Sequence, residues 1–228
     1  MTHQSDSAPR LFLLGDSIID NAPYVGSAPT VTDCVNALWP AGATCIAIDG
    51  VGLQHMADQF EATLAAGFRP EHDVLVLSVM GNNLRQLFGV YNQEVNNVLE
   101  GMTAMYRGVH PVLAAYDATV AALKNRGVKH LVLVSIYPIY DITLYAGDLL
   151  DGEVIDRSLS WVAINPVLGI VSRHVIDTAK KHGAVAADVF GGDFGPEDIV
   201  RAIEPGANAS PKVAARIVAA AHEVLARS

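Results

Sequence analysis

Three short polar turns in this sequence contain the residue types that acyl transfer requires. The turns are Gly15-Asp16-Ser17, Gly50-Val51-Gly52 and Gly81-Asn82-Asn83, and each follows an apolar run. Nucleophilic acyl transfer needs a hydroxyl group and, about 3 Å from the developing oxyanion, N–H donors that are already in position. Ser17 offers a hydroxyl, the glycines offer unobstructed backbone N–H groups, and Asn82 offers a side-chain amide. The set predicts a nucleophile that faces an oxyanion hole, although Asp16 and Ser17 could also serve only as turn and helix-capping residues.

The apolar runs before these turns are predicted to be strands of one parallel sheet. Leu11 to Leu14 is apolar throughout, which is typical of a strand buried on both faces. Strands alternate with helical patterns along the chain, which indicates a three-layer α/β/α sandwich with a five-stranded parallel sheet. Ligands bind such sheets at the carboxyl ends of the strands, where all three turns fall. We predict strands at 11–14, 44–48, 74–79, 131–136 and 184–189, and helices at 30–38, 53–66, 111–125, 159–182 and 211–226.

Length, composition and charge limit the possible functions. The 228 residues, 51% of them hydrophobic, suit a single domain over 1–228, with residues 1–9 as a disordered lead-in. A net charge of -9 argues against a nucleic-acid or anionic-membrane partner and leaves a small-molecule substrate as the expected one. No apolar run is long enough to span a bilayer, and the N-terminus has no export signal.

The ligand-type side chains indicate neither a metal site nor a disulfide framework. The two cysteines, Cys34 and Cys45, have no metal-ligand spacing, and the Asp, Glu and His residues form no ligand-spaced cluster. We therefore expect a cytoplasmic protein without metal or cofactor. The sequence does not decide the oligomeric state.

The three turns resemble blocks I, II and III of the SGNH (GDSL) hydrolases in residue type and order. The resemblance covers most of the chain and implies the flavodoxin-like SGNH hydrolase fold. It also implies that Ser17 is the nucleophile, and that the Ser17 N–H, a block II glycine and the Asn82 side chain form the oxyanion hole. We expect that glycine to be Gly50, with Gly52 as the second choice.

The sequence departs from the family pattern in its third and last blocks. Met80 and Asn83 replace a glycine and an aspartate of the third block. The last block of the family usually reads D-x-x-H-P, in which the aspartate orients a histidine that takes the serine proton. Here Glu204 precedes the proline, and Arg201 stands three residues before it. This I-E-P ending resembles a subset of GDSL-type proteins that have GDSI-DN near the start.

Three alternatives remain open for the group that accepts the Ser17 proton. Topology places six of the eight histidines at the opposite edge of the sheet, inside helices or in the N-terminal tail, which leaves His55 and His110. A glutamate is a competent base only where burial raises its pKa. We rank Glu204 first, His55 second and a serine without a competent base third. Alternatively, Glu204 has only a structural role, in which it faces the positive end of the last helix or pairs with Arg201.

Two less regular stretches, 84–107 and 137–158, follow strand ends and are predicted to overhang the site as lids. Their aromatic and methionine side chains suggest an apolar acyl or ring-bearing substrate, or else simple packing. Arg85 could hold a substrate carboxylate, or it could be a solvated loop charge. The predicted substrate-binding residues are Asp16, Gly52, Asn83, Arg85 and Tyr137.

Two functional classes are therefore compatible with the sequence. The first is a serine-dependent hydrolase that cleaves an ester or other acyl bond of a small substrate through an acyl-enzyme intermediate. The second is a non-hydrolytic protein of the same fold. It would be either a ligand-binding protein without activity or an enzyme that uses Glu204 as acid or base in an elimination or cyclisation.

Overall fold

A five-stranded parallel sheet lies at the centre of the molecule. The computed structural model describes residues 8–85, 94–140, 164–201 and 203–227. The strands are β1 (Leu11–Gly15), β2 (Ala43–Cys45), β3 (Val74–Ser78), β4 (His130–Val134) and β5 (Val185–Ala187). Their order is β2-β1-β3-β4-β5, and every neighbouring pair is parallel. The predicted α/β class with a five-stranded parallel sheet is confirmed.

In the described part of the chain, seven α-helices surround the sheet. They are α1 (Ala22–Val25), α2 (Val31–Leu38), α3 (Met56–Ala65), α4 (Gly81–Leu84), α5 (Val98–Asn125), α6 (Asn165–Lys181) and α7 (Ala209–Ala226). No helix within the described ranges is long and apolar enough to cross a lipid bilayer.

The alternating side chains of the strands build one hydrophobic core on each face of the sheet. Phe12 and Leu14 of β1 pack in the cluster that contains buried residues of α3, α5 and α6. Leu11 and Leu13 pack in the opposite cluster, with buried residues of α2 and α7. The strands β1, β3 and β4 are therefore buried on both sides, which explains their continuous apolar runs in the sequence, whereas the edge strand β2 is partly exposed.

A short antiparallel hairpin precedes the last helix. It consists of β6 (Ile199–Val200) and β7 (Glu204–Pro205), with Val200 paired to Glu204. Arg201, in the turn, has a φ of 48°, in the left-handed region that non-glycine residues rarely adopt. The sequence analysis did not predict this hairpin, which fixes the backbone of Glu204.

The predictions for the less regular segments need correction. Residues 98–107, predicted as part of a lid, are the first turns of α5, which begins 13 residues before the predicted start at Pro111 and contains that proline. Residues 86–93 and 141–158 of the two predicted lids lie outside the described residues. Pro9, predicted to be part of a disordered lead-in, is held in place because the Trp39 indole donates a 2.8 Å hydrogen bond to its carbonyl. The first seven residues lie outside the described part.

Candidate active site

Ser17 lies just beyond the carboxyl end of β1, on a turn that Gly15 makes possible. Gly15 has a φ of 138°, and a Cβ atom on it would lie 1.7 Å from the carbonyl oxygen of Ser78. Only glycine fits this approach. The buried Gln59 side chain of α3 fixes Gly15 on both sides, because it accepts from the Gly15 N–H at 2.8 Å and donates to its carbonyl at 2.9 Å. Sequence analysis missed Gln59, whose only signal is a polar residue between the core residues Met56 and Phe60.

The carboxylate of Glu204 lies against the Ser17 side chain. Burial raises the pKa of Glu204, and the neighbouring Ser17 side chain opposes that rise by favouring the charged form. The negative charge of Asp49 raises the pKa further, whereas Arg85 and Arg201 lower it, and the result is a pKa above the ordinary value. The Oε2 atom of Glu204 is buried and has no hydrogen-bond partner among the described residues. The carboxylate therefore has a free oxygen and an elevated basicity next to a hydroxyl group.

Two contacts hold the Glu204 hairpin beside the β1 turn. The fully buried Asn21 donates from Nδ2 to the Pro205 carbonyl at 3.1 Å and to Ser210 Oγ at 2.8 Å. Its Oδ1 atom accepts from the Val31 N–H at 2.9 Å. The second contact is a hydrogen bond from the Tyr137 hydroxyl to the carbonyl of Ile203. Asn21 follows the Gly15-Asp16-Ser17 turn closely in the sequence, so it joins the nucleophile segment directly to the Glu204 segment.

Asn82 reaches the same site from the end of β3. Its Nδ2 donates a 2.8 Å hydrogen bond to the carbonyl of Val51, in the turn after β2. An amide group has two N–H donors, so one remains for a ligand after this bond. Met80, at the position of the missing glycine, is buried and has a φ of 126°, a region that favours glycine.

The Asn83 side chain binds the backbone of a neighbouring turn and does not line the cavity in front of Ser17. Its Oδ1 accepts a 2.9 Å hydrogen bond from the Leu53 N–H. Asn83 is not among the residues that line the site cavity. Its amide therefore connects the turns after β2 and β3, and the substrate-binding role predicted for it has no support in this geometry.

The structure does not bring Gly50, Gly52 or His55 to Ser17. The Gly52 N–H donates to Nδ1 of the exposed His55 at 3.2 Å, so this histidine ring caps its own turn. Gly50 has a φ of 80°, and no atom lies within 4 Å of a Cβ built on it. None of the three lines the site cavity. The turn after β2 contributes the Val51 carbonyl that orients Asn82.

The contacts that the structure gives for Asp198, Arg201 and His110 are with residues other than Ser17 and Glu204. Asp198 is buried and accepts from Lys212 Nζ at 2.8 Å and from the Gly195 N–H at 2.6 Å, so its carboxylate pairs with Lys212. The Arg201 guanidinium lies 5.4 Å from the centre of the Tyr24 ring. His110 lies on α5 with its ring 5.3 Å from that of Tyr106.

Asp16 is a second carboxyl group of the site with unusual protonation. It is 1% exposed, and burial raises its pKa to about 7; the Ile18 N–H opposes the rise and the charge of Glu204 adds to it. Oδ1 accepts the Ile18 N–H at 3.2 Å. Oδ2 has no hydrogen-bond partner of normal geometry among the described residues, although the nearby Gly81 N–H favours the charged form. Asp16 is therefore partly protonated near neutral pH.

The cavity in front of Ser17 has a volume of about 60 Å³, which is room for a small chemical group. Polar side chains gather around the serine, and apolar side chains form the remaining walls. The polar side chains are those of Asp16, Ser17, Asn82, Arg85, Tyr137 and Glu204. Within the described part of the chain, no group of three His, Cys, Asp or Glu residues could hold a metal ion. The arrangement suits attack by a serine hydroxyl on a small carbonyl group.

Comparisons with known proteins identify the fold. No family model and no curated protein matches this chain. Among solved structures, phospholipase A1 from Streptomyces albidoflavus has a TM-score of 0.62 at 15% identity, with 94% of this chain and 100% of that chain covered. A member of the lipolytic protein G-D-S-L family from Veillonella parvula gives 0.61 at 14% identity, with 93% and 97% covered.

An acetyl xylan esterase from Geobacillus stearothermophilus is similar over a comparable length. Its TM-score is 0.55 at 14% identity, with 96% of this chain and 94% of that chain covered. The similarities extend over nearly the whole of each chain, and at this level of identity they establish the architecture. This chain has the fold of the SGNH (GDSL) hydrolases.

Proposed function

We propose that this protein is an atypical SGNH hydrolase that cleaves an ester bond of a small substrate through an acyl-enzyme on Ser17, with Glu204 as the base. The observation that carries the proposal is that Ser17 and the half-buried Glu204 line one small cavity together, and that Asn82 lines it too. A nucleophile, a base and an oxyanion donor then meet at one small space.

The proposed reaction needs only these groups and water. The Ser17 Oγ attacks the ester carbonyl carbon while its proton passes to Glu204, and the carbonyl oxygen becomes an oxyanion. The free N–H of Asn82 and the backbone N–H of Ser17 stabilise this oxyanion. Protonated Glu204 then donates its proton to the departing alcohol. Water then attacks the acyl-serine and gives a proton to Glu204. Glu204 returns this proton to the Ser17 Oγ atom as the carboxylic acid leaves.

Glu204 is suited to the role of base because of its surroundings. An exposed glutamate is too weakly basic to accept a serine proton effectively, since its pKa is far below the operating pH. Burial and the charge of Asp49 both raise the pKa of Glu204. The charges of Arg85 and Arg201 limit that rise, and so they favour the ionised carboxylate, which is the form that accepts a proton.

A second candidate function follows from the two carboxyl groups of the cavity. Burial raises the pKa of both Asp16 and Glu204. Paired carboxyl groups with raised pKa values can act as proton donor and acceptor without a nucleophile. We therefore keep an elimination or cyclisation enzyme of the SGNH fold as the alternative, in which Ser17 only binds the substrate.

Covalent labelling distinguishes these two functions. The wild type, Ser17→Ala and Ser78→Ala are treated with a fluorophosphonate and assayed with p-nitrophenyl acetate. Ser78 is a matched control because it is a buried serine at the end of β3, and its hydroxyl has no hydrogen-bond partner among the described residues. The hydrolase proposal expects labelling and turnover in the wild type and in Ser78→Ala, and neither in Ser17→Ala. A wild type that is neither labelled nor active on short esters excludes the acyl-enzyme proposal.

A further inference from the structure

Most of the exposed large apolar side chains of this protein lie on one face. Eight such side chains are exposed among the described residues, and six of them lie at the beginning of α5, just before it, or on α6. The six are Val95, Val98, Leu99, Met102, Tyr106 and Ile170. We call this set the α5 patch. Scattered exposed apolar residues need no explanation, whereas a patch of this kind marks an interaction site.

The first turns of α5 present an apolar side to solvent. Leu99, Met102 and Tyr106 follow one another at spacings of three and four, so they share one side of the helix, and they are 74%, 66% and 65% exposed. The charged residues of these turns, Glu100 and Arg107, lie roughly 150° round the helix from Met102. A helix of a monomer packs its apolar side against the core. An apolar side that faces solvent therefore indicates a partner that covers it.

A groove beside α5 has a shape complementary to this helix. It lies between α5 and the first turns of α6 and has a volume of about 550 Å³, which is enough for several side chains of a partner. Val98 and Met102 line it from α5, and Ile170 lines it from α6. Val95 and Leu99 are not among its lining residues and form a ridge next to it. We call these two features the α5/α6 groove and the α5 ridge.

A second copy of this chain fits a surface of this form. In a two-fold symmetric dimer both copies use the same surface, so each projecting feature must meet a recess of the other copy. The α5 ridge and the α5/α6 groove are neighbours on one face, so the ridge of each copy can enter the groove of the other in a single arrangement. The α5 patch contains no charged side chain, so two copies with a net charge of -9 each can meet there without contact between like charges.

The charge of the protein argues against a membrane as the partner. Helices that lie on membrane surfaces have several Lys and Arg residues on their polar face. Arg107 is the one basic residue in the sequence between 98 and 109, and Glu100 offsets its charge. A net charge of -9 also repels the chain from anionic lipid. A second copy is therefore the better candidate.

The area of the α5 patch is close to what a dimer needs. At roughly 100 Å² of apolar surface each, its side chains present on the order of 600 Å². A specific interface of standard size buries about 800 Å² on each partner. Half-buried walls of the groove, such as Leu113 and Val167, add to the area that a second copy would cover.

We propose that this protein forms a two-fold symmetric homodimer in which the α5 ridge of each copy packs into the α5/α6 groove of the other. The dimer removes the apolar side chains of the α5 patch from water. The proposal concerns association alone and does not depend on the reaction at Ser17.

Sedimentation equilibrium of the wild type and three variants tests the proposal. The wild type should have twice the mass of one chain at about 100 µM. A charge buried in the interface loses its water, so Met102→Asp and Leu99→Asp should each raise the dimer dissociation constant at least about 30-fold. Leu38→Asp is the matched control and should leave the constant unchanged, because Leu38 is 49% exposed at the end of α2, which packs on the opposite face of the sheet. A monomeric wild type at this concentration, oligomers larger than a dimer, or a dimer that both patch variants leave intact overturns the proposal.

Hydrogen exchange of the wild type locates the interface without any variant. Amide protection, compared above and below the dissociation constant, should rise with concentration at 98–109 and 166–170 and stay constant in α2. Protection that rises only elsewhere overturns the proposal. Flotation with phosphatidylcholine vesicles tests the other occupant. A monomeric wild type that floats, and a Met102→Asp variant that does not, also overturn the proposal, because a lipid surface then covers the patch.

Discussion

Replacing Asp16 by asparagine should stabilise the fold, and more strongly at high pH. Asp16 is 1% exposed, and burial raises its pKa from 3.8 to about 7. A carboxyl group whose pKa is raised in the folded state favours folding while it is protonated. That contribution is complete below the unfolded pKa and is lost as the pH rises through the folded one. Ionised Asp16 is therefore a cost to stability, which asparagine does not have.

The size of the effect follows from the two pKa values. With a pKa of 3.8 in the unfolded chain and about 7 in the fold, Asp16 lowers the stability by about 4 kcal/mol at pH 8, where it is mostly ionised in the fold. At pH 5 it lowers the stability by about 1–2 kcal/mol, because folding must then protonate a group that is ionised in the unfolded chain. Asparagine keeps an acceptor for the Ile18 N–H but turns an N–H group toward that of Gly81. This contact offsets part of the gain equally at both pH values. The difference in stabilisation between pH 8 and pH 5 is therefore the informative quantity, at about 2–3 kcal/mol.

Urea unfolding of the wild type and Asp16→Asn at the two pH values measures this difference. Asp73→Asn is a control of opposite sign. Burial works to raise the pKa of Asp73, but its hydrogen bonds with Arg69 and Arg10 outweigh burial and lower it. Asp73 should therefore stabilise the fold at neutral pH, so its replacement destabilises, and that loss shrinks as the pH falls through the Asp73 pKa. If the stability change of Asp16→Asn is the same at pH 8 and pH 5, Asp16 is ionised normally in the fold and the reasoning is wrong.

Two further predictions concern the residues that complete the site. Asn82→Ala removes the proposed oxyanion donor and should lower kcat for a short ester about 10²- to 10³-fold, with little change in urea stability, because the amide makes one bond to the Val51 carbonyl. Kinetics that match the wild type exclude Asn82 from the oxyanion hole. Asn21→Ala removes hydrogen bonds to three buried groups and should cost about 2–4 kcal/mol of stability. The variant should also lower kcat in the fraction that stays folded. A loss of stability without any change in kcat means that the position of Glu204 does not depend on the hydrogen bonds of Asn21.

The sequence predicted the centre of the sheet well because β1, β3 and β4 are buried on both faces. Such strands appear as continuous apolar runs, and β1 and β3 begin at the predicted residues, Leu11 and Val74. The start of α5 was predicted too late. Gly101, Gly108 and Pro111 lower the helix propensity of this segment, so the signal for a helix is weak in its first turns.

The part of the site that could be predicted is the part that follows from the order of the strands and helices. Parallel strands end at one edge, and this rule placed Ser17, Asn82 and Glu204 at the same end of the molecule. The connections between them could not be predicted. The bond from Asn21 to Pro205 spans 184 residues, and no local pattern encodes such a contact. The position of His55 depends on one hydrogen bond from the Gly52 N–H, which turns its ring into the local turn.

The most direct test of the account is the rate at which a fluorophosphonate labels Ser17, measured against pH in the wild type and in Glu204→Gln. Because the base must be ionised, the wild-type rate should rise through the pKa of Glu204, which lies above 4.5. Glu204→Gln should label about 10²- to 10⁴-fold more slowly and lose that inflection. Glu197→Gln, at an exposed glutamate nearby, should behave as the wild type. Labelling of Glu204→Gln at the wild-type rate with an unchanged pH profile contradicts the assignment of Glu204 as the base.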